Sequence, residues 1–245
     1  MQSRPPQDHH VGGLNTFPDL LDHWRLTTMK GTTLRISVPA FLFAASLPAL
    51  AVTSTFDSDA EGWSAQGDIE GPLTWSATGG NPGGNVFIDD LTTGGVTYFV
   101  APSVFLGNFA GAFGSQLTFD LMQRYPGGPN QFDAEDVILS GSGLTLVYDT
   151  ANNPVNNGWT SYSVPLSPTG WRLGSLSGVT PTDAQFLAVL SNISSLKIRA
   201  EYQTGADVGY LDNVALVPEP AAALMLLSGI GCVAFAARRR QRAAV

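Results

Sequence analysis

Cysteine and histidine are scarce, and their positions exclude several kinds of chemistry. Cys232 is the single cysteine among 245 residues, and it lies in an apolar run near the C-terminus. The three histidines, His9, His10 and His23, all precede residue 29. The stretch 52–216 therefore carries no disulfide framework, thiolate nucleophile, histidine-dependent catalytic triad or histidine-ligated zinc.

Positive charge is scarce as well. Residues 52–217 contain four bases against sixteen acids, which leaves a net charge of −12. A surface this acidic repels nucleic acid, so no nucleic-acid partner is expected, while cations or simple solubility would suit it. With 27 glycines and 16 prolines the chain favours many turns and short strands, and its 10% aromatic content argues against disorder.

The N-terminal part has the features of a secretory signal in residues 29–51. A charged segment at 29–35 is followed by an apolar run at 36–47 and by Ala49-Leu50-Ala51, a cleavage site for signal peptidase. Residues 1–28 show no periodicity. Our hypothesis is that Met29 is the true start and that this leader is not translated.

The C-terminal part, 217–242, has three segments in a fixed order. Val217-Pro218-Glu219-Pro220 precedes an apolar run of 17 residues, about 25 Å long as a helix and just sufficient to span a bilayer. The predicted membrane anchor includes Ala221, Leu224, Leu227, Val233 and Ala237. The basic residues that would stay cytoplasmic are Arg238, Arg239, Arg240 and Arg242.

This order of motif, apolar helix and basic cluster resembles a PEP-CTERM sorting domain. The resemblance implies recognition by an exosortase, a membrane protease that would cut near Pro218-Glu219-Pro220 and release or transfer the domain to the envelope. A plain tail anchor is the alternative. Pro218 and Pro220 favour processing, because they keep the segment extended and accessible to a protease.

The stretch between these signals predicts a mainly β fold. Turn signals occur at 79–84, 94–95, 126–129 and 152–154. Apolar and polar residues alternate at 117–121, 144–148 and 196–202, which predicts strands with one face in a core and the other in water. On that pattern Asp120, Arg199 and Glu201 face water.

One short helix is also predicted. Its apolar residues Phe186, Val189, Leu190 and Ile193 follow the helical spacing, with Thr180 as its cap and Pro181 at its first position. The fold class expected is an antiparallel jelly-roll β-sandwich with this helix, plus an N-terminal signal helix and a C-terminal transmembrane helix.

A second resemblance covers nearly all of 56–216. The residues that carry it are Phe56, Gly62-Trp63, Trp75, Gly80-Asn81-Pro82-Gly83-Gly84, Tyr98, Ala101-Pro102, Phe105-Leu106-Gly107, Leu117-Thr118-Phe119-Asp120-Leu121, Trp159, Trp171, Ile198-Arg199-Ala200-Glu201-Tyr202 and Leu211-Asp212-Asn213-Val214. Their order resembles a laminin IV type A (laminin B) domain. The resemblance implies a sandwich of the carbohydrate-binding-module type without enzymatic activity. The chain lacks the cysteine-rich modules that flank it in animal laminins, which speaks against a basement-membrane role.

Acidic residues offer two candidate sites. Asp133, Glu135 and Asp136 lie beside a Pro/Gly-rich loop. A glycosidase needs two carboxylates on opposite sides of a cleft, and closeness in sequence does not show such a pair. These three side chains are therefore expected to be solvated. Asp57, Asp59 and Glu61 near the first strand, with Asp212 and Asn213 near the last, could hold a structural calcium ion. The alternative is that the first two shape a turn while Asp212 accepts backbone amides. No other cofactor is expected.

Aromatic residues offer a candidate ligand site. The tryptophans at 63, 75, 159 and 171 are expected to be mostly in the core, with Trp63 and Trp159 at core positions of the laminin-like pattern. Tyr125, on a loop between Arg124 and Pro126, is the candidate exposed aromatic for a glycan.

Together these features predict an exported, non-enzymatic protein of the envelope or an exopolymer. The expected partners are signal peptidase, exosortase, the membrane and extracellular polysaccharide. The alternatives are an extracellular carbohydrate-active hydrolase that uses acidic residues alone, and a ligand-free structural component of a matrix.

Overall fold

The computed structural model describes residues 51–67, 69, 72–90 and 94–217. The predicted leader, the signal peptide up to residue 50, and the tail from Pro218 onward lie outside the described residues. Within the described ranges, no helix has the length and apolarity needed to cross a membrane.

The described part of the chain contains twelve strands, one α-helix and two short 3₁₀-helices, Ser103–Phe105 and Ala110–Ala112. The strands are β1 (Val52–Ser54), β2 (Ser64–Gln66), β3 (Thr74–Gly80), β4 (Gly83–Asp90), β5 (Tyr98–Val100), β6 (Gln116–Arg124), β7 (Val137–Gly141), β8 (Leu144–Tyr148), β9 (Thr160–Pro165), β10 (Arg172–Leu173), β11 (Ile193–Arg199) and β12 (Asp207–Val217), and the helix is α1 (Asp183–Leu190). The strands predicted at 117–121 and 144–148 are confirmed, whereas the strand predicted at 196–202 ends at Arg199.

These strands form two antiparallel sheets. The first sheet has the order β3-β4-β12-β6-β9, with β1 also paired to β12, and the second has the order β10-β8-β7-β11-β5-β2. The predicted antiparallel β-sandwich with one short helix is confirmed. The predicted signal and membrane helices lie outside the described residues.

The long strand β12 organises the first sheet. Along one edge it pairs with β6, and along the other it pairs first with β4 and then with β1, which follow each other end to end. A bulge between Asp212 and Ala215 interrupts the pairing with β6, and Asn213 takes a left-handed conformation there with φ 51°. The bulge turns the Asn213 side chain toward the outer surface of the sheet, where it meets Asp120.

One hydrophobic core fills the space between the two sheets. It contains Trp63 and Trp171, which are 5% and 0% exposed, so their predicted burial is confirmed. The indole nitrogen of Trp63 donates to Ser54 Oγ (2.9 Å) and that of Trp171 to Pro165 O (2.6 Å). Burying these rings therefore leaves no indole donor without a partner.

The helix begins later than predicted, which corrects its cap. Thr182 is the N-cap and forms a capping box with Gln185, whose amide donates to Thr182 Oγ1 at 3.3 Å while Gln185 Oε1 accepts from the Thr182 amide at 2.9 Å. Thr180 instead accepts a hydrogen bond from Arg172. Ile193 lies in β11 and not on the helix, because the helix ends at Leu190.

Candidate functional site

A row of apolar side chains crosses the outer face of the first sheet. Phe87 on β4 is the register partner of Tyr210 on β12, and Tyr210 is the partner of Met122 on β6. Their sequence neighbours Val86, Leu211 and Leu121 belong to the core, so these three side chains point away from it. Trp159, directly before β9, extends the row. We call Phe87, Tyr210, Met122 and Trp159 the outer row.

The rings of the outer row touch one another and remain partly open to solvent. Phe87 and Tyr210 have ring centroids 5.4 Å apart with planes tilted by 31°, and Trp159 meets Tyr210 edge-on at 6.4 Å. All three rings are half-buried, while Met122 is buried. The outer row is therefore a partly exposed apolar strip on the outer face.

A guanidinium group borders the outer row. The side chain of Arg124 is exposed and lies 5.2 Å from the centroid of the Tyr210 ring, a cation–π distance. Its Nε donates to Asn157 Oδ1 at 3.3 Å. Burial raises the pKa of the Tyr210 hydroxyl while Arg124 opposes the rise, so this hydroxyl stays protonated and can donate at neutral pH.

The β3–β4 hairpin forms a wall along the other side of the row. The indole nitrogen of Trp159 donates to Gly79 O (3.2 Å), and the amide of Asn81 donates to Asp212 Oδ2 (2.5 Å). The side-chain amides of Asn81 and Asn213 both donate to Asp120 Oδ2, at 3.1 and 2.8 Å. The hairpin tip is thus fastened onto the outer face.

This wall explains why Asp120 is buried although its strand pattern predicted exposure. Asp120 and Asp212 are 8% and 0% exposed. Burial raises the pKa of Asp212 to about 6; the amides of Asn81 and Asn213 oppose the rise, and the charges of Asp120 and Asp57 add to it. These carboxylates serve as acceptors that hold the hairpin.

The carboxylates predicted for calcium already accept hydrogen bonds from the chain. Asp59 Oδ1 accepts the amide of Glu61 (2.6 Å), and Asp57 Oδ2 accepts the hydroxyl of Thr55 (2.9 Å). Asp212 accepts two backbone amides. Among the described residues, no set of three or more His, Cys, Asp or Glu side chains is arranged to hold a metal ion. A structural calcium ion remains a prediction.

The acidic loop departs from its predicted solvation at Asp136. This carboxylate is 1% exposed and forms an ion pair with Arg199 at 3.3 Å, and it accepts bonds from the amide (2.8 Å) and hydroxyl of Thr150. Arg199 and Glu201, expected to face water, are 1% and 4% exposed. The expectation fails because the segment before β7 covers Arg199. Asp133 is exposed as expected.

The predicted ligand residue Tyr125 is half-buried rather than open. Its amide donates to Asn156 Oδ1 (3.2 Å), and its carbonyl accepts from Asn156 Nδ2 (3.1 Å), which fixes the backbone at the end of β6. A glycan contact by Tyr125 remains a prediction.

Two of the tryptophans are only half-buried, and one of these, Trp75, packs against the core. Trp159, expected in the core, is half-buried on the outer face. Trp75 is also half-buried and donates its indole hydrogen to Phe56 O (2.7 Å). Whether a side chain lies in the core depends on which face of the sheet another element covers. The sequence pattern around Trp159 did not show which face that is.

Two residues of the predicted processing sites are described. Ala51 is exposed and directly precedes β1, and Val217 is the last residue of β12. Pro218, Glu219 and Pro220 lie outside the described residues, as do Ala49, the membrane anchor and its basic stop.

Comparisons with known proteins agree with both resemblances. The family model for Laminin B (Domain IV) matches residues 98–219, and the PEP-CTERM protein-sorting motif matches residues 216–241. The chain is a PEP-CTERM protein with a laminin B domain. The sorting motif indicates an exported protein of the cell envelope or the extracellular space.

The laminin B domain is similar to a small part of long animal proteins. Laminin subunit gamma-1 of Danio rerio is 34% identical over 175 residues, which cover 68% of this chain and 10% of that protein. The chain thus spans about a tenth of the length of the curated relatives it matches.

A solved laminin domain shows the same fold. The L4b domain of human laminin alpha-2 superposes with a TM-score of 0.53 at 15% identity, covering 69% of this chain and 98% of that one. A family 11 carbohydrate-binding module from Clostridium thermocellum has a TM-score of 0.45 at 16% identity, with 69% and 96% covered.

Sequence reasoning missed Phe87, Tyr210 and Met122. In β4 a lone aromatic, Phe87, stands between the core residues Val86 and Ile88, and in β12 Tyr210 stands between Gly209 and Leu211. An aromatic residue at the solvent-facing position of a strand is the signal that could have identified them.

Proposed function

We propose that this chain is a non-enzymatic protein of the cell envelope or an exopolymer, sorted by an exosortase, whose laminin B sandwich binds polysaccharide through the outer row. The observation that carries the proposal is the strip of half-buried aromatic rings on the outer face of the first sheet. Export is supported by the sorting motif.

The chemistry of the outer row suits a sugar chain. A pyranose ring has an apolar C–H face and hydroxyl groups around its rim, so it can lie on the negative face of an aromatic ring. The Arg124 guanidinium beside Tyr210 provides donors for those hydroxyls. The hairpin wall at Trp159 would keep a chain aligned along the row.

The charge of the domain favours a neutral polysaccharide. Residues 52–217 carry a net charge of −12. A polyanionic exopolymer would be repelled at long range at low salt, whereas a neutral chain would approach freely.

The hydrolase alternative receives little support from this face. Asp120 and Asp212 are buried under the hairpin and already accept hydrogen bonds from Asn81 and Asn213. A general acid or a nucleophile must reach the glycosidic bond, and a pair of acids must flank it. The geometry of these two acids therefore fits a structural role.

Affinity electrophoresis of the full chain in gels that contain neutral polysaccharide from the producing organism tests the proposal. We expect Trp159→Ala and Tyr210→Ala to weaken binding by about tenfold or more, because each removes a stacking surface. Tyr210→Phe keeps the ring and should retain most of the affinity.

Tyr125→Ala is the matched control, since it removes a neighbouring aromatic ring outside the outer row. Loss of binding in Tyr125→Ala with retention in Trp159→Ala would move the site to the Tyr125 loop. If the wild-type chain binds no polysaccharide, a ligand-free structural component of a matrix becomes the better account.

A further inference from the structure

Three carboxylates meet inside one end of the sandwich. Asp90, the last residue of β4, and Asp207, the first residue of β12, are direct register partners. Glu201 lies on the segment between β11 and β12. Their exposed fractions are 2%, 3% and 4%, so all three side chains are removed from water. We call these three residues the carboxylate cluster.

Two of these side chains point between the sheets. On β4, Asp90 continues the alternate positions of the core residues Val86 and Ile88. On β12, Asp207 lies four positions before the core residue Leu211 and therefore on the same face of the strand. Like charges directly opposite each other on neighbouring strands repel, and burial strengthens the repulsion.

Backbone amides bind both Asp207 and Glu201, but they satisfy Asp207 only in part. Asp207 Oδ2 accepts the amides of Tyr202 and Gln203, both at 3.3 Å, and Glu201 Oε2 accepts the amide of Thr97 at 3.0 Å. Asp207 Oδ1 has no partner among the described residues. The hydroxyl of Thr97, on the residue whose amide binds Glu201, is also buried and lacks a partner there.

Positive charge near the carboxylate cluster is limited. The charge of Arg199 acts on both Glu201 and Asp207, but its guanidinium pairs with Asp136 and donates to the carbonyls of Phe132, Ala134 and Glu201. Tyr98 also interacts electrostatically with Glu201 and with Glu135, and the ammonium group of Lys197 lies 6.0 Å from the centroid of the Tyr98 ring. Because Asp136 already neutralises Arg199, ionised Glu201 and Asp207 would have only part of the charge of Arg199 as compensation.

We propose that Glu201 and Asp207 of the carboxylate cluster hold bound protons in the folded domain, so that the domain is more stable in mildly acidic than in mildly alkaline surroundings. This inference does not depend on polysaccharide binding. It concerns how an exported domain responds to the pH outside the cell.

The direction of the proton equilibrium agrees with this geometry. Burial and the charge of Asp90 raise the pKa of Glu201 from 4.5 to about 7, and burial, with Asp90 adding, raises that of Asp207 from 3.8 to about 7. Between about pH 4 and pH 7 the folded chain therefore binds more protons than the unfolded chain. The free energy of unfolding falls as the pH rises through this window, and it levels off above it.

Protons fit the carboxylate cluster better than a divalent cation does. Within the described residues, no three or more His, Cys, Asp or Glu side chains are arranged as metal ligands. Carboxyl groups that share protons need only come close to one another, without the several oxygen ligands that calcium requires.

Thermal unfolding of the full chain in a mild detergent with EDTA, from about pH 5 to about pH 8, tests the proposal. We expect the wild-type midpoint to fall by about 5 °C or more across this range. Glu201→Gln and Asp207→Asn are neutral and nearly isosteric, so each should raise the midpoint at pH 8 and flatten the slope. Asp89→Asn removes an exposed charge next to Asp90 and should leave the slope unchanged.

Three results would overturn the proposal. The first is a wild-type midpoint that stays constant or rises with pH, and the second is a slope that both isosteric variants share with the wild type. The third is a rise at pH 8 when calcium replaces EDTA, abolished by Glu201→Gln, since the carboxylate cluster would then bind a cation. Burial also raises the pKa of Asp149 and Asp212, which contribute equally to every variant and cancel in the comparison.

Discussion

Arg199 fastens the segment before β7 to the second sheet. Its guanidinium donates to Phe132 O at 2.8 Å and pairs with Asp136 at 3.3 Å, and it lies between the rings of Phe132 and Tyr202, at 4.6 and 4.3 Å from their centroids. A planar cation with five donors can make these contacts together, whereas an ammonium group cannot.

Replacing Arg199 should therefore be costly. We expect Arg199→Met to lower the free energy of unfolding by about 3–5 kcal/mol, because Asp136 would remain buried without its partner. Urea unfolding measures the change. Lys197→Met, two positions earlier on β11 with its ammonium group 6.0 Å from the Tyr98 ring, is the matched control and should cost less than about 1 kcal/mol. Equal losses in both variants would contradict this role for Arg199.

The surroundings of single residues are the part that the sequence predicted least well. The alternation at 196–202 correctly places Leu196 and Ile198 in the core, but it cannot show that another segment covers Arg199 on the opposite face. The outer row was missed for the same reason, since Phe87 and Tyr210 meet across strands far apart in sequence. Whether another segment covers a given face of a strand depends on tertiary packing, and the alternation of apolar and polar residues along that strand does not reveal it.

At the scale of elements, the β3–β4 hairpin is the piece that shapes the outer face. Two glycines allow it to lie close to its neighbours. A Cβ on Gly80 would stand 2.0 Å from Gly84 O and 2.7 Å from Asp212 Oδ2, and one on Gly84 would stand 2.0 Å from Phe56 O. These distances leave no space for a methyl group against backbone atoms.

Gly80→Ala should therefore displace the hairpin. We expect a loss of about 1–3 kcal/mol in the free energy of unfolding, as for other overpacked sites, measured by urea unfolding. Gly128→Ala is the matched control, because nothing lies within 4 Å of a Cβ there. A Gly80→Ala chain as stable as Gly128→Ala would show that the hairpin does not rest on the sheet as described.

Elements were more predictable than residue surroundings. The alternation of apolar and polar residues predicted β6, β8 and β11, and the Gly/Pro-rich run 79–84 predicted the turn between β3 and β4. The helix was correctly located, but its cap was placed two residues early, since Thr180 and Thr182 are equally suitable in sequence. The capping box with Gln185 identifies Thr182 as the N-cap.

At the scale of the whole molecule, the two ends of the domain lie side by side. Val52 and Leu216 are register partners in β1 and β12. The predicted cut after Ala51 would leave every residue of β1 in place, and the sorting motif begins where β12 ends. Processing at both ends would therefore release or anchor an intact sandwich.

Intact-mass spectrometry of the protein from producing cells, with and without the exosortase, tests export and sorting most directly. With the exosortase, we expect a mature chain that begins at Val52 and lacks the basic residues Arg238–Arg242, because the cut falls near Pro218-Glu219-Pro220. Without it, the same N-terminus should be joined to the complete tail. A chain that keeps the basic tail when the exosortase is present, or that still carries residues 29–51, would contradict this account.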